Sequence, residues 1–193
     1  MKKDFKTISS CRLCRSKKLR TVFSLKDIPI PEVYEKNIKL AIEKRRFPQT
    51  IIRCLNCKHI QIKEIIDQTK LWDNYTYFSN QTKDIENHFK KLATNIVKSY
   101  NLKKSDLVID IGSNDGTFLK MFKNKTKVLG IDPAKTVANY AIKKNKVPTI
   151  INYFDYKTVL KIKKKYQKAK VLLAFNVFAH TPSMIKFVKN VKR

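Results

Sequence analysis

Beyond residue 106 the apolar positions fall into two alternating rhythms. Continuous apolar runs such as Leu107-Val108-Ile109 and Val171-Leu172-Leu173 suit strands covered on both faces. Between such runs, apolar residues recur at helical spacing. The pattern predicts strands at 107–111, 127–131, 148–152 and 170–176, and helices at 114–124, 134–145, 155–167 and 182–191. Strands alternating with helices predict an α/β fold with a doubly wound, parallel sheet. Upstream, Ile85, Phe89, Leu92, Ala93, Ile96, Val97 and Tyr100 make one stripe along a helix from Asp84 to Tyr100. Nearer the N-terminus the β-branched content of 50–53 and 60–65 predicts short strands. Ile28-Pro29-Ile30-Pro31 predicts an extended, turn-prone connection. The pattern divides the chain into a small domain at 1–66, a bridge at 67–83 and an α/β domain at 84–193.

The bridge holds Trp72, Tyr75, Tyr77 and Phe78 within seven positions. It reads either as packing between the halves or as a flap in which Tyr75 or Tyr77 presents a hydroxyl. No run approaches the ~20 apolar residues that span a bilayer, and Met1-Lys2-Lys3-Asp4-Phe5 lacks the apolar core of a signal peptide. A cytoplasmic protein without a membrane partner is expected.

The formal net charge of +28 changes the picture less than its size suggests. Residues 1–66 carry 17 basic and 6 acidic side chains, and 67–193 carry 26 and 9, so there is no basic tail. Lysine outnumbers arginine 36 to 7, whereas base-edge reading favours arginine. The charge suits a lysine-rich solvated surface or an anionic partner.

All four cysteines lie in the first domain, as Cys11-Arg12-Leu13-Cys14 and Cys54-Leu55-Asn56-Cys57. Two C-x-x-C pairs supply the four thiolates of a tetrahedral zinc shell, closed and therefore structural. Disulfides and a dithiol redox motif are the alternatives. A reducing compartment disfavours the first, and the absence of a thioredoxin-like strand disfavours the second. His59 reads as a surface or supporting residue.

The three glycines of the chain, Gly112, Gly116 and Gly130, fall within nineteen positions. They punctuate Leu107-Val108-Ile109-Asp110-Ile111-Gly112-Ser113-Asn114-Asp115-Gly116 and Val128-Leu129-Gly130-Ile131-Asp132. The D-x-G-x-x-x-G spacing is neither G-x-G-x-x-G nor a P-loop. Asp110 and Asp115 offer carboxylates to a ligand ammonium. Asp132, at the end of the second strand, offers one to a ribose.

VIDIGSNDGTFL followed by VLGIDPA resembles the first two motifs of class I S-adenosylmethionine-dependent methyltransferases, and so implies their Rossmann-like sheet. The order of features is a double cysteine knuckle, Tyr-x-Tyr-x-Ser, DIGSNDGTFL, GIDPA and Asn176-Val177-Phe178-Ala179-His180. It is similar to the C-methyltransferases that act on nucleotide-linked keto-deoxysugars. The resemblance runs from Cys11 to about Val188. It implies one structural zinc and S-adenosylmethionine as cofactor. Asp110, Gly112, Asn114, Asp115, Gly116, Asp132, Pro133, Phe154, Asp155 and Asn176 are the implied cofactor-binding positions. Gly112 and Gly116 would lie against the methionine moiety, Asp132 against the ribose, Phe154 and Asp155 against adenine, and Asn176 beneath the cofactor. Tyr77 and His180 are the implied catalytic pair. His180 would take a proton beside the sugar carbonyl and Tyr77 would donate to the developing oxyanion. For His180, helix capping or loop orientation is the plainer alternative.

Members of that family continue into a C-terminal domain with a histidine–glutamate–histidine stretch, so a missing domain or a second chain is expected to complete the sheet. Two other functions stay open: a zinc-knuckle methyltransferase acting on RNA, and a non-catalytic zinc-containing binding module.

Overall fold

The computed structural model describes residues 4–31, 34–166 and 168–193. It resolves into two compact units. One runs to Trp72 and includes the stretch 182–185; the other comprises 73–181 and 186–193. The bridge expected at 67–83 is thus divided at Trp72.

The first unit is antiparallel. Strands β1 (Phe5–Thr7), β2 (Leu19–Pro29), β3 (Arg46–Cys54), β4 (Ile60–Ile62) and β5 (Glu64–Ile66) carry the short helices α1 (Ile38–Glu43) and α2 (Gln68–Trp72). β2, β3 and β4 form one sheet in that order, and β1 pairs with β5. The single strand expected at 60–65 is therefore two strands in two different sheets. Ile28 and Pro29, expected in a connection, close β2 opposite Phe47 and Arg46; a free outer edge tolerates a residue with no N–H. Phe47 and Ile52 are buried, and Phe5 meets Phe47 edge-on at 6.0 Å. Buried Glu64 accepts the Thr50 N–H at 2.8 Å, and Asp4 pairs with Lys70 and Arg45.

The second unit opens with α3 (Lys83–Ser99), whose Thr82 side chain accepts the Ile85 N–H as an N-cap. It continues as β6 (Leu107–Ile111), α4 (Thr117–Lys120), β7 (Lys127–Asp132), α5 (Lys135–Lys143), β8 (Thr149–Ile151), α6 (Tyr156–Lys165), β9 (Val171–Leu173) and α7 (Met184–Lys192). A 3₁₀ turn covers Phe178–His180. All strand pairs are parallel, in the order β8-β7-β6-β9. Alternation across the sheet divides the core. Val108 and Val128 face Phe118, Leu119, Phe122 and the stripe of α3. Leu107, Ile109, Ile111, Leu129 and Ile131 face Ile162 and Phe187. Both faces being covered, the strands are apolar throughout, as the sequence pattern predicts.

Several elements are shorter than expected, two of them beside left-handed backbone. The helix placed at 114–124 contracts to Thr117–Lys120, because Asn114 (φ 52°) and Gly116 (φ 74°) hold left-handed backbone just before it. The strand placed at 170–176 ends at Leu173, and the chain leaves the sheet before the left-handed Asn176 (φ 52°).

Candidate functional site: a tetrathiolate centre and an acidic strand edge

In the first unit the knuckles repeat one geometry. Arg15 N–H donates to Cys11 O at 3.0 Å and Lys58 N–H donates to Cys54 O at 2.9 Å. Arg15 and Lys58 both have φ of 65°. Cys11 N–H donates to Ser16 O at 2.8 Å, and Cys54 N–H donates to His59 O at 2.9 Å. Each pair thereby curls its two thiols toward the same point. His59 serves this arrangement through its backbone.

The four sulfurs lie within 4.8 Å of one another, with Cys11 Sγ 3.7 Å from Cys57 Sγ and Cys14 Sγ 3.6 Å from Cys54 Sγ. Four thiolates at a Zn–S distance of about 2.3 Å in a tetrahedron sit about 3.8 Å apart, so the cluster fits one zinc ion. The separations are far beyond the ~2.05 Å of a disulfide, and all four thiols are free. Crowding shows in their titration. The Ser16 N–H holds the Cys14 thiol down at about 6. Cys57 is drawn down by the His59 N–H, but burial and the neighbouring sulfurs of Cys14, Cys11 and Cys54 override it and push the thiol up to about 12. Four thiols this close do not all ionise without a cation between them, and zinc supplies that charge.

In the second unit the C-terminal ends of β6 and β7 carry Asp110 and Asp132. Asp110 is buried, and its Oδ1 has no hydrogen-bond partner among the described residues. Burial, helped by the neighbouring Asp132, raises its pKa to about 7. Asp132 also titrates high because of burial, although two backbone donors oppose the shift: Ala134 N–H on Oδ1 and Asn114 N–H on Oδ2, each at 2.8 Å. Pro133, half-buried, carries the chain from this tip into α5.

The glycine turn explains why so few residues fit here. Gly112 has φ of 70°, and a Cβ on it would lie 2.3 Å from Val177 Cγ2. A Cβ on Gly130 would lie 2.4 Å from Ser113 Oγ, so its bare backbone lets the turn rest on β7. Gly116 opens α4.

The remaining sequence candidates take varied places. Asp115 is fully buried, with Oδ1 accepting Thr117 N–H at 2.9 Å and Oδ2 accepting Asn80 N–H at 3.1 Å. Its side chain ties two loops together. Asn114 holds the bridge: its Nδ2 donates to Tyr77 O at 2.8 Å and its Oδ1 accepts Ser79 N–H at 3.2 Å. Asp155 caps α6, accepting Thr158 N–H at 2.7 Å. Phe154 packs on Phe187 with ring centroids 5.3 Å apart. Asn176 and His180 are exposed on the segment after β9. Tyr77 is partly exposed, with its ring 6.3 Å from that of Tyr75. Periodicity missed Tyr140 and Tyr153, which hold the bridge to the sheet. Tyr153 donates to Asp73 Oδ1 at 2.6 Å, and Asn80 Nδ2 reaches the Tyr140 hydroxyl at 3.3 Å. Only their position just after strands or on α5 hinted at such a role.

A parallel sheet ordered third-second-first-fourth, with a glycine turn after its first strand and acidic residues ending its first two, has the strand order of a Rossmann-like sheet, which takes its ligands at the carboxyl ends of the strands. The chain joins that sheet to an N-terminal four-cysteine zinc-binding domain. An acceptor-rich edge holding Asp132 and an Asp110 oxygen that is unpartnered among the described residues suits a ligand that brings an ammonium and ribose hydroxyls.

Residues 11–72 match a sequence family described as "Putative zinc binding domain" (Methyltransf_13), and the match ends where the first unit does. The chain is 26% identical over 185 residues to the C-methyltransferase NovU of Streptomyces niveus, covering 95% of this chain and 44% of NovU. It thus spans under half the length of that curated relative. Among solved structures it is similar to YcgJ from Bacillus subtilis (16% identity, 55% of this chain and 45% of that one, TM-score 0.43). It is also similar to magnesium protoporphyrin IX methyltransferase from Synechocystis PCC 6803 with bound S-adenosylmethionine (14% identity, 55% and 52%, TM-score 0.40). No helix among the described residues is long and apolar enough to cross a membrane.

Proposed function

We propose that this chain carries the zinc-binding and cofactor-binding parts of an S-adenosylmethionine-dependent C-methyltransferase whose substrate is a nucleotide-linked keto-deoxysugar. One observation carries the reading: in a protein of net charge +28, the strand ends meet in carboxylates, one of them buried with an oxygen that is unpartnered among the described residues. Such an edge repels a pyrophosphate and suits a ligand bearing positive charge and hydroxyl donors. NovU, a C-methyltransferase matched along nearly the whole chain, supports the carbon acceptor. The basic surface supports a diphosphate-bearing substrate.

When bound, S-adenosylmethionine supplies an electrophilic methyl group on a sulfonium. The chain's own residues then position and exchange protons. Asp132, held by two backbone N–H groups, accepts from ribose hydroxyls. Asp110 places negative charge beside the ammonium. His180 is the proposed base at the carbon next to the sugar carbonyl, and the Tyr77 hydroxyl the proposed donor to the oxygen that gains charge. Zinc keeps the first unit folded and takes no part in proton transfer.

Calorimetric titration of the zinc-loaded chain with S-adenosylhomocysteine tests the cofactor site, and saturable one-to-one binding is expected. Absence of heat at any concentration up to millimolar refutes it. Affinity for RNA that falls steeply with added salt would point to a nucleic-acid substrate instead.

A further inference from the structure

The segment from Asp73 to Asn80 crosses the C-terminal edge of the parallel sheet and is fastened at both ends. At its start, Asp73 Oδ1 accepts the hydroxyl of Tyr153, the second residue beyond β8, at 2.6 Å. At its end, Asn114, in the turn after β6, engages Tyr77 O and Ser79 N–H with its side-chain amide. Asn80 N–H donates to Asp115 at 3.1 Å, Asn80 Nδ2 donates to the Tyr140 hydroxyl, and Phe78 meets Tyr140 edge-on with centroids 5.3 Å apart. In the sheet order, β7 lies between β8 and β6, so the two fastenings flank the strand that ends in Asp132.

Asn114 is the junction. Its backbone N–H holds Asp132 Oδ2 at 2.8 Å, while its side chain holds the strap. Its Oδ1 also accepts the next N–H, that of Asp115, at 2.8 Å. The residue sits at φ of 52°, a conformation that glycine adopts most easily and asparagine tolerates. Glycine would satisfy the backbone but could not reach Tyr77 or Ser79.

We propose that Asn114 is a positioning residue that couples cofactor binding at Asp132 to the ordering of the aromatic strap, and so sets where Tyr77 is presented. The proposal rests on the adenosyl-cofactor reading of the strand tips. A ligand that takes the Asp132 carboxylate meets a group already tied to Asn114. Any shift there reaches Tyr77 through a single residue.

Amide hydrogen exchange on the zinc-loaded chain, with and without S-adenosylhomocysteine, tests it. In the wild type, ligand should slow exchange at Ser79 and Asn80 at least tenfold. Asn114→Gly keeps the backbone geometry and removes the amide. It should speed exchange at those two amides at least tenfold in the free protein, leave β6 unchanged, and lose the ligand-dependent protection even at saturation. Asn114→Asp retains an acceptor for Ser79 and should restore protection there in part. The proposal is overturned if Asn114→Gly leaves strap exchange unchanged, or if saturating ligand protects the strap equally in variant and wild type. General loosening of the fold would appear in β6 as well, and Asn114→Asp then decides: without any recovery at Ser79 the latch is rejected. Failure of the wild type to bind ligand overturns the cofactor reading and the coupling with it, whereas binding without strap protection overturns the coupling alone.

Discussion

Up to Trp72, Phe47 and Ile52 are the large apolar side chains that are buried among the described residues, alongside Cys11 and Cys54; beyond it, two apolar clusters fill both faces of a parallel sheet. Val22, Phe23, Leu25, Ile38 and Ile42 of the first unit are about half exposed or more. A segment this short buries too little surface to offset its conformational entropy. A tetrathiolate metal site makes up the difference by tying together knuckles 39 residues apart in sequence. The second unit has no such need, and its special residues are free to shape a ligand edge.

Zinc removal should separate the two units most sharply. Chelation, or Cys54→Ala, should unfold the first unit, since metal binding to such sites supplies about 10 kcal/mol or more. The parallel sheet should keep its exchange protection. Loss of protection in β6 and β7 under the same treatment would show that the units do not stand independently.

The converse break lies at Gly112. Gly112→Ala forces a Cβ against Val177 at a left-handed φ, and should destabilise the second unit by about 3 kcal/mol without disturbing zinc content. Adding Val177→Ala should recover only the steric share. Full recovery, measured by denaturant unfolding, would show that the backbone angle contributes nothing.

A subtler contrast concerns Asp110. Burial raises its folded pKa to about 7, against ~3.9 for an unperturbed aspartate. The folded state therefore holds the extra proton between those values, and stability falls as pH rises through about 7. Asp110→Asn should flatten that dependence and exceed the wild type by roughly 1 to 3 kcal/mol at pH 8, while weakening cofactor binding. Equal slopes between pH 5 and pH 8 would contradict it. The smallest effect is expected at Asp155, where alanine should remove a helix cap worth about 1 kcal/mol. Cofactor affinity that falls tenfold at unchanged stability would instead make Asp155 a ligand contact.

The second unit was legible because its order is local. Leu107–Ile111 and Lys127–Asp132 announce themselves as apolar runs ending in carboxylates, and their helices follow at regular spacing. The first unit was legible at its cysteines and in the β-branched stretches that fall in β3, β4 and β5, and little beyond. The eleven residues of β2 mix Val22, Phe23 and Leu25 with Arg20, Ser24 and Asp27, and the strand contains register shifts, so no period of two survives. β1 pairs with β5 across some sixty residues, beyond any local pattern. The site divides along the same line. The acidic strand ends and the glycine turn could be read from spacing, whereas the roles of Asn114 and Asp115 depend on Tyr77, Ser79 and Asn80, which only the fold brings near.

The left-handed positions of the two knuckles belong to Arg15 and Lys58, where glycine would be easier. A zinc ion with four thiolates carries a formal charge of −2, and this pair of cations stands one residue beyond Cys14 and Cys57. In formal count the two cations match that charge from within the turns themselves, where the Lys58 ammonium donates to Leu55 O at 2.6 Å. A chain with a formal net charge of +28 thus keeps two of its cations in the turns that curl around its four sulfurs.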